Sequence, residues 1–147
     1  MNSIQNVSPP KWFWVLCGIL FIWNLLGVMA FFQQILMTAD DLKAMDAAER
    51  SLYMEQPLWV SVAFACAVFG GTLGTLALMV RNALAKPILI ISLFGVVIQM
   101  AYNFLIANAV DVYGPGAAIM PAMVLLIAIF LVWFTAQSIA KGWVGNP

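Results

Sequence analysis

Residues 12–36 read WFWVLCGILFIWNLLGVMAFFQQIL, a run of 25 residues without one charged side chain. A helix rises about 1.5 Å per residue, and about 20 mostly apolar residues cross the hydrocarbon core of a bilayer. The apolar core of a secretory signal is only about 7–15 residues long. No small-residue cleavage site breaks this run, so it is expected to be a first spanning helix and not a removable leader. Three further segments have the same character, at roughly 57–80, 87–109 and 117–140, and none of them contains a charged residue. Pro57 and Pro87 mark helix starts, where a missing N–H costs little, and Tyr113-Gly114-Pro115-Gly116 reads as a tight turn.

Composition agrees. The chain has 147 residues, 65% of them hydrophobic and 8% charged, with a mean hydropathy of +1.01. A soluble domain carries about 25% charged residues. The expected fold class is therefore an all-α membrane protein: a single domain, residues 1–147, forming a compact bundle of four transmembrane helices. The lipid bilayer is its first partner, and a net charge of zero gives no reason to expect nucleic acid.

Sidedness follows from the cations. Lys11, Arg81, Lys86 and Lys141 fall on one side of the four spans, and Lys43 and Arg50 on the other. By the positive-inside rule both termini and the 81–86 loop are predicted to be cytoplasmic. The opposite side is acidic, with Asp40, Asp41, Asp46, Glu49, Glu55 and Asp111. Trp12, Trp14, Trp59 and Trp143 stand near span ends, as interfacial aromatics do. The longest loop, 37–56, predicts an amphipathic helix. Thr38 and Asp41 mark its N-terminus, Leu42, Met45, Ala48 and Leu52 share one face, and Asp46 and Arg50 are spaced for an ion pair.

The chain has no histidine, which removes the usual general base and the commonest metal ligand. Cys17 and Cys66 lie in different spans and read as packing residues. Met120-Pro121-x-Met123 could present two thioethers to Cu(I), but without histidine or a C-x-x-C pair no metal site is expected. No nucleophile–base pair stands out, so no enzyme activity, catalytic residue or cofactor is expected.

The polar residues inside the spans carry the remaining information. Gln99, Tyr102 and Asn103 follow i, i+3, i+4 spacing in the third span, and Asn24 lies at a similar depth in the first. An amide in hydrocarbon needs a partner, so Asn24 and Gln99 are expected to meet inside the bundle. Thr135, Gln137 and Ser138 read as interfacial. In the second span, Gly70-Gly71-Thr72-Leu73-Gly74 forms a small-x-x-x-small face for close helix packing. Gly70, Gly71 and Gly74 are its packing residues. A faint internal echo pairs Asn24-Leu25-Leu26-Gly27-Val28 with Ser92-Leu93-Phe94-Gly95-Val96.

The run Trp23–Ala30, the acidic loop, Val68-Phe69-Gly70-Gly71, Val97-x-Gln99-Met100, Gly114-Pro115-Gly116 with Met120-Pro121, and Ala140-Lys141-Gly142-Trp143 resemble small bacterial four-helix inner-membrane proteins. Some of these carry the label "sugar transporter". The resemblance implies a multi-pass protein of the bacterial cytoplasmic membrane and supplies no functional residues. Two functions fit. One is a small oligomeric carrier or facilitator for a neutral polar solute such as a sugar, lined by Asn24, Gln99, Tyr102 and Asn103. Its dimer contact would be the Gly70/Gly74 face. The other is a non-catalytic accessory or scaffold subunit of a larger membrane complex, in which those residues only bind helices together. No Asp, Glu, His or Arg stands within a span, which argues against a proton- or ion-coupled pump.

Overall fold

The computed structural model describes residues 7–145. Seven α-helices occupy them: α1 Lys11–Ile35, α2 Ala39–Ala44, α3 Ala47–Met54, α4 Leu58–Met79, α5 Ala85–Ala101, α6 Ala109–Tyr113 and α7 Ile119–Ala140. A π-helical turn, Tyr102–Ile106, prolongs α5, and a 3-10 turn, Pro115–Ala118, leads into α7. Four of these stretches are long and apolar enough to cross a membrane: Lys11–Ile35, Leu58–Met79, Ala85–Ile106 and Pro115–Ala140. No strand occurs among the described residues. The protein is an all-α four-helix membrane bundle.

The four long helices stand side by side in the order α1, α4, α5, α7, each packed on the next. In lipid there is little hydrophobic drive between helices, so close approach through small residues has to supply the attraction. α4 provides it on two faces. Toward α5 it turns Ala63, Ala67, Gly70 and Gly74. A Cβ on Gly74 would lie 2.6 Å from Leu89 Cγ, and one on Gly70 would lie 3.1 Å from Ser92 Cβ. Gly95 of α5 reciprocates, since its Cβ would lie 2.6 Å from the carbonyl oxygen of Ala63. The Ser92 hydroxyl donates to the carbonyl of Ala67 at 2.5 Å. Toward α1, α4 turns Val68, Gly71 and Thr75. Gly27 of α1 leaves only 3.1 Å between a built Cβ and Val68 Cγ1.

The small face at Gly70 and Gly74 is thus consumed within the chain. It is not free to join two copies, because α5 of the same molecule already fills it. The echo between Asn24–Val28 and Ser92–Val96 has a physical counterpart here: both segments bury their polar residue and their glycine against α4, from different sides.

At the end carrying the termini, α1 and α7 close the arc. Phe13 and Phe134 stand 5.7 Å apart between ring centroids, and Trp143 lies 5.9 Å from Phe13. Cys17, Leu78, Ala85 and Val144 complete this buried cluster. Cys66, by contrast, is exposed on the outside of α4. Thr135 and Ser138, near the C-terminal end of α7, point into the bundle. Both are fully buried, and Ser138 spends its hydroxyl on the carbonyl of Phe134 at 2.8 Å.

Both α4 and α7 end in the Schellman arrangement, which satisfies orphan carbonyls. Gly142 takes the left-handed position after α7 with φ 72°, but after α4 the position belongs to Arg81, φ 60°. A side chain there costs roughly 1–2 kcal/mol. The guanidinium offsets it by donating from Nε to Trp143 O at 2.6 Å and from Nη2 to Val7 O at 3.1 Å. Val7 N–H in turn donates to Gly142 O at 3.2 Å. One arginine therefore ties the N-terminal segment, the α4–α5 loop and the C-terminal segment together.

The acidic end differs in detail from the single helix predicted for 37–56. Thr38 and Asp41 form the expected capping box, with Asp41 accepting from Thr38 N–H at 2.8 Å. Met45 then turns extended and splits the segment into α2 and α3. Arg50 does not pair with Asp46. Its guanidinium instead reaches three carbonyls at the end of α2: Met45 O at 3.0 Å, Lys43 O at 3.2 Å and Leu42 O at 2.7 Å, the last shared with the Met45 N–H. Unfilled carbonyls at a helix C-terminus attract a fixed fork of N–H donors more than an exposed carboxylate does. Hydrogen bonds from Thr38 hold the Asp41 carboxyl below its ordinary pKa. Burial, Tyr53 and Glu49 raise that of Tyr113, whose hydroxyl donates to Glu49 at 3.3 Å.

Candidate functional site: an amide-lined cavity within the bundle

Beyond the aromatic cluster the arc stays open, and a cavity of about 310 Å³ lies among α1, α4, α5 and α7. Leu89 of α5 and Leu131 of α7, packed with Leu20 of α1, form its floor toward the terminal end. That volume is in the range of small-molecule sites, about 300–1,000 Å³. Its wall is mostly apolar, and four polar side chains break it: Asn24, Ser92, Gln99 and Asn103. Among the described residues no titratable side chain contributes.

The sequence pattern placed Gln99, Tyr102 and Asn103 on a single face. At about 100° per residue, i+3 lags by about 60° and i+4 leads by about 40°. That difference separates them. Gln99 and Asn103 turn to the cavity, whereas Tyr102 turns toward α4 and is 7% exposed. Its ring meets Trp59 edge-on at 5.5 Å, and its hydroxyl donates to Glu55 O at 3.4 Å. Tyr102 is therefore withdrawn from the lining residues and pins α5 to the start of α4. The π-helical turn begins at this residue, with Ala107 N–H donating to Tyr102 O at 2.9 Å.

Asn24 and Gln99 do share the cavity wall, but they are not bonded to each other. The Asn24 amide donates to Leu20 O at 2.8 Å and to Thr75 Oγ1 at 3.2 Å, and Thr75 passes its own proton to Gly71 O. Gly71 makes this possible, since a Cβ there would lie 2.0 Å from Asn24 Oδ1. Asn24 is thus committed to the α1–α4 contact. Thr75 is the partner that sequence reasoning missed. Its signal, a threonine one turn beyond Gly71, was present but hidden by the hydroxyl's habit of bonding back to the i−4 carbonyl.

Gln99 and Asn103 make no side-chain hydrogen bond among the described residues, and both amides remain open to the cavity. Each carries a carbonyl acceptor and two N–H donors. Set one turn apart on α5, they present a pair of neutral donor–acceptor groups in apolar surroundings. Such a pair suits hydroxyl, amide or ester groups. It offers nothing to neutralise a phosphate, carboxylate or ammonium, whose burial unpaired is far more costly. Met120 lies at the cavity rim, while Met123 does not line it, so the two thioethers do not converge there. No family model, curated protein or solved structure matches the chain.

Proposed function

We propose that the cavity binds a small uncharged molecule bearing hydroxyl, amide or ester groups, and that this is the binding step of a small carrier or facilitator. The observation that supports this most is the pair Gln99 and Asn103, two amides on the cavity wall with no side-chain partner among the described residues. Residues kept merely to join helices would be bonded across them, as Asn24 is to Thr75. The accessory-subunit alternative accounts for Asn24 and gives Gln99 and Asn103 no bond to make within the chain. With Lys11, Arg81, Lys86 and Lys141 gathered at the terminal end, we place that end in the cytoplasm of a bacterial cell and the protein in its cytoplasmic membrane.

A ligand that binds only the folded state raises the melting temperature. Purified protein is to be melted against a panel of uncharged and charged solutes and lipids. Uncharged compounds with hydroxyl groups are expected to stabilise the parent chain and not the Gln99→Leu/Asn103→Leu variant. Stabilisation by charged members of the panel, or equal stabilisation of the variant, would contradict the proposal.

A further inference from the structure

The geometry points to lateral entry from the bilayer and to an uncharged lipid as the ligand, a deduction that rests on the cavity being a binding site. The first observation is an aperture. Leu26 on α1 and Met120 on α7 both line the cavity, yet they are 54% and 59% exposed. Ala30 is likewise both lining and exposed. α1 and α7 meet near the terminal end, from Phe13 and Phe134 to Leu20 and Leu131, and beyond that point they are not packed together, so the opening runs between them.

The second observation is depth. Gln33 and Gln34 mark the polar end of α1. Leu26 lies seven residues before Gln33, about 10 Å along the helix at 1.5 Å per residue. At Leu26 the aperture therefore reaches the depth of the acyl chains, while at Ala30 and Met120, near the outer ends of α1 and α7, it runs up toward the polar surface. A lipid of the outer leaflet can therefore enter it sideways, its headgroup region at the level of Ala30 and Met120 and its chain at the level of Leu26.

The third observation is the chemistry of the wall. Gln99 and Asn103 can bond a glycerol hydroxyl and ester carbonyls, and the Ser92 oxygen, its own proton held by Ala67 O, can accept from a hydroxyl. Among the described residues no lysine or arginine lines the cavity to receive a phosphate. The cavity holds roughly ten water volumes at 30 Å³ each, enough for a glycerol group and the first carbons of a chain. The rest of the chain would leave past Leu26 and Met120, whose apolar side chains suit it. An uncharged diacylglycerol-type lipid meets all three conditions, and a phospholipid fails the third.

The test uses the full chain in phosphatidylcholine vesicles containing a diacylglycerol with a diazirine in one acyl chain close to the glycerol. Phosphatidylglycerol bearing the same diazirine is the comparison. After irradiation, adducts are mapped by peptide mass spectrometry. The diacylglycerol probe is expected to label Leu26–Ala30 and Met120–Val124 and to be competed by unlabelled dioleoylglycerol. Labelling should fall about fivefold in Gln99→Leu/Asn103→Leu, the equivalent of one lost net hydrogen bond of about 1 kcal/mol. It should also fall in Leu26→Trp, which narrows the aperture from a lipid-facing position and leaves the amides untouched. Equal labelling of these segments by the phosphatidylglycerol probe, or labelling that neither variant lowers, would overturn the inference. If soluble polyols stabilise the protein through the same amides while the lipid probe leaves the cavity unlabelled, the ligand class is wrong and the binding site stands. If neither acts through Gln99 and Asn103, both fall.

Discussion

Asn24 and Gly71 form a matched pair, because the amide of one occupies the space that a side chain on the other would need. Gly71→Ala would drive Asn24 from its place or push α1 away, since the new Cβ would meet Asn24 Oδ1 at 2.0 Å. Overpacking of this kind costs about 1–3 kcal/mol, and thermal melts in detergent should show it as a lower melting temperature. Removing the obstacle should remove the penalty, so Gly71→Ala is expected to cost less in an Asn24→Ala background. Additive losses would mean that the two sites are independent. The glycines were legible as packing residues from their spacing. Which helix each one receives was not, because adjacent residues on α4 point about 100° apart and only the tertiary arrangement assigns those directions. The separation of Tyr102 from Gln99 and Asn103 has the same origin.

Among the elements, the acidic-end helices depend on their caps, as they are too short to persist alone. Arg50→Ala would remove the guanidinium donors from the carbonyls of Lys43 and Met45 and leave Leu42 O with the Met45 N–H alone. Amide exchange across α2 should accelerate while that of α4 stays unchanged; protection of α2 equal to the parent's would show that Arg50 is no cap. Asp41 adds a pH dependence. Its pKa is lowered by bonding to Thr38, so its contribution is complete above the ordinary aspartate value of about 3.9. The contribution is lost as pH falls through the lower folded value. The Thr38 amide resonance should therefore stay constant from neutral pH down to about 4 and move only below it. A midpoint at or above the ordinary value would contradict the capping box. The capping box could be read from Thr38 and Asp41 because it is a local pattern of neighbours. Arg50 was misassigned because its alternative partners, backbone carbonyls freed by a break at Met45, leave no trace in residue types.

At the scale of the whole molecule, the four spans were legible from hydropathy alone, and the open side of the bundle was not. Apolar residues facing lipid, a cavity or another helix look alike in sequence, as the near-uniform α7 illustrates. The proposed sidedness can be checked in a Cys17→Ala/Cys66→Ala background. Cysteine at Ala47 should react with an impermeant thiol reagent in intact cells, and cysteine at Lys86 only after permeabilisation. The reverse pattern would invert the protein in its membrane. Whether the bundle keeps a binding site or merely a set of polar fasteners is decided most directly by comparing two variants in one melting experiment. Asn24→Leu should lower the melting temperature, because it removes the bond to Thr75 and crowds Gly71. Gln99→Leu/Asn103→Leu, assayed without ligand, should melt at or above the parent temperature, because neither amide is bonded to the protein. A loss in the double variant as large as that of Asn24→Leu would show that these amides hold the helices together and would contradict the binding site.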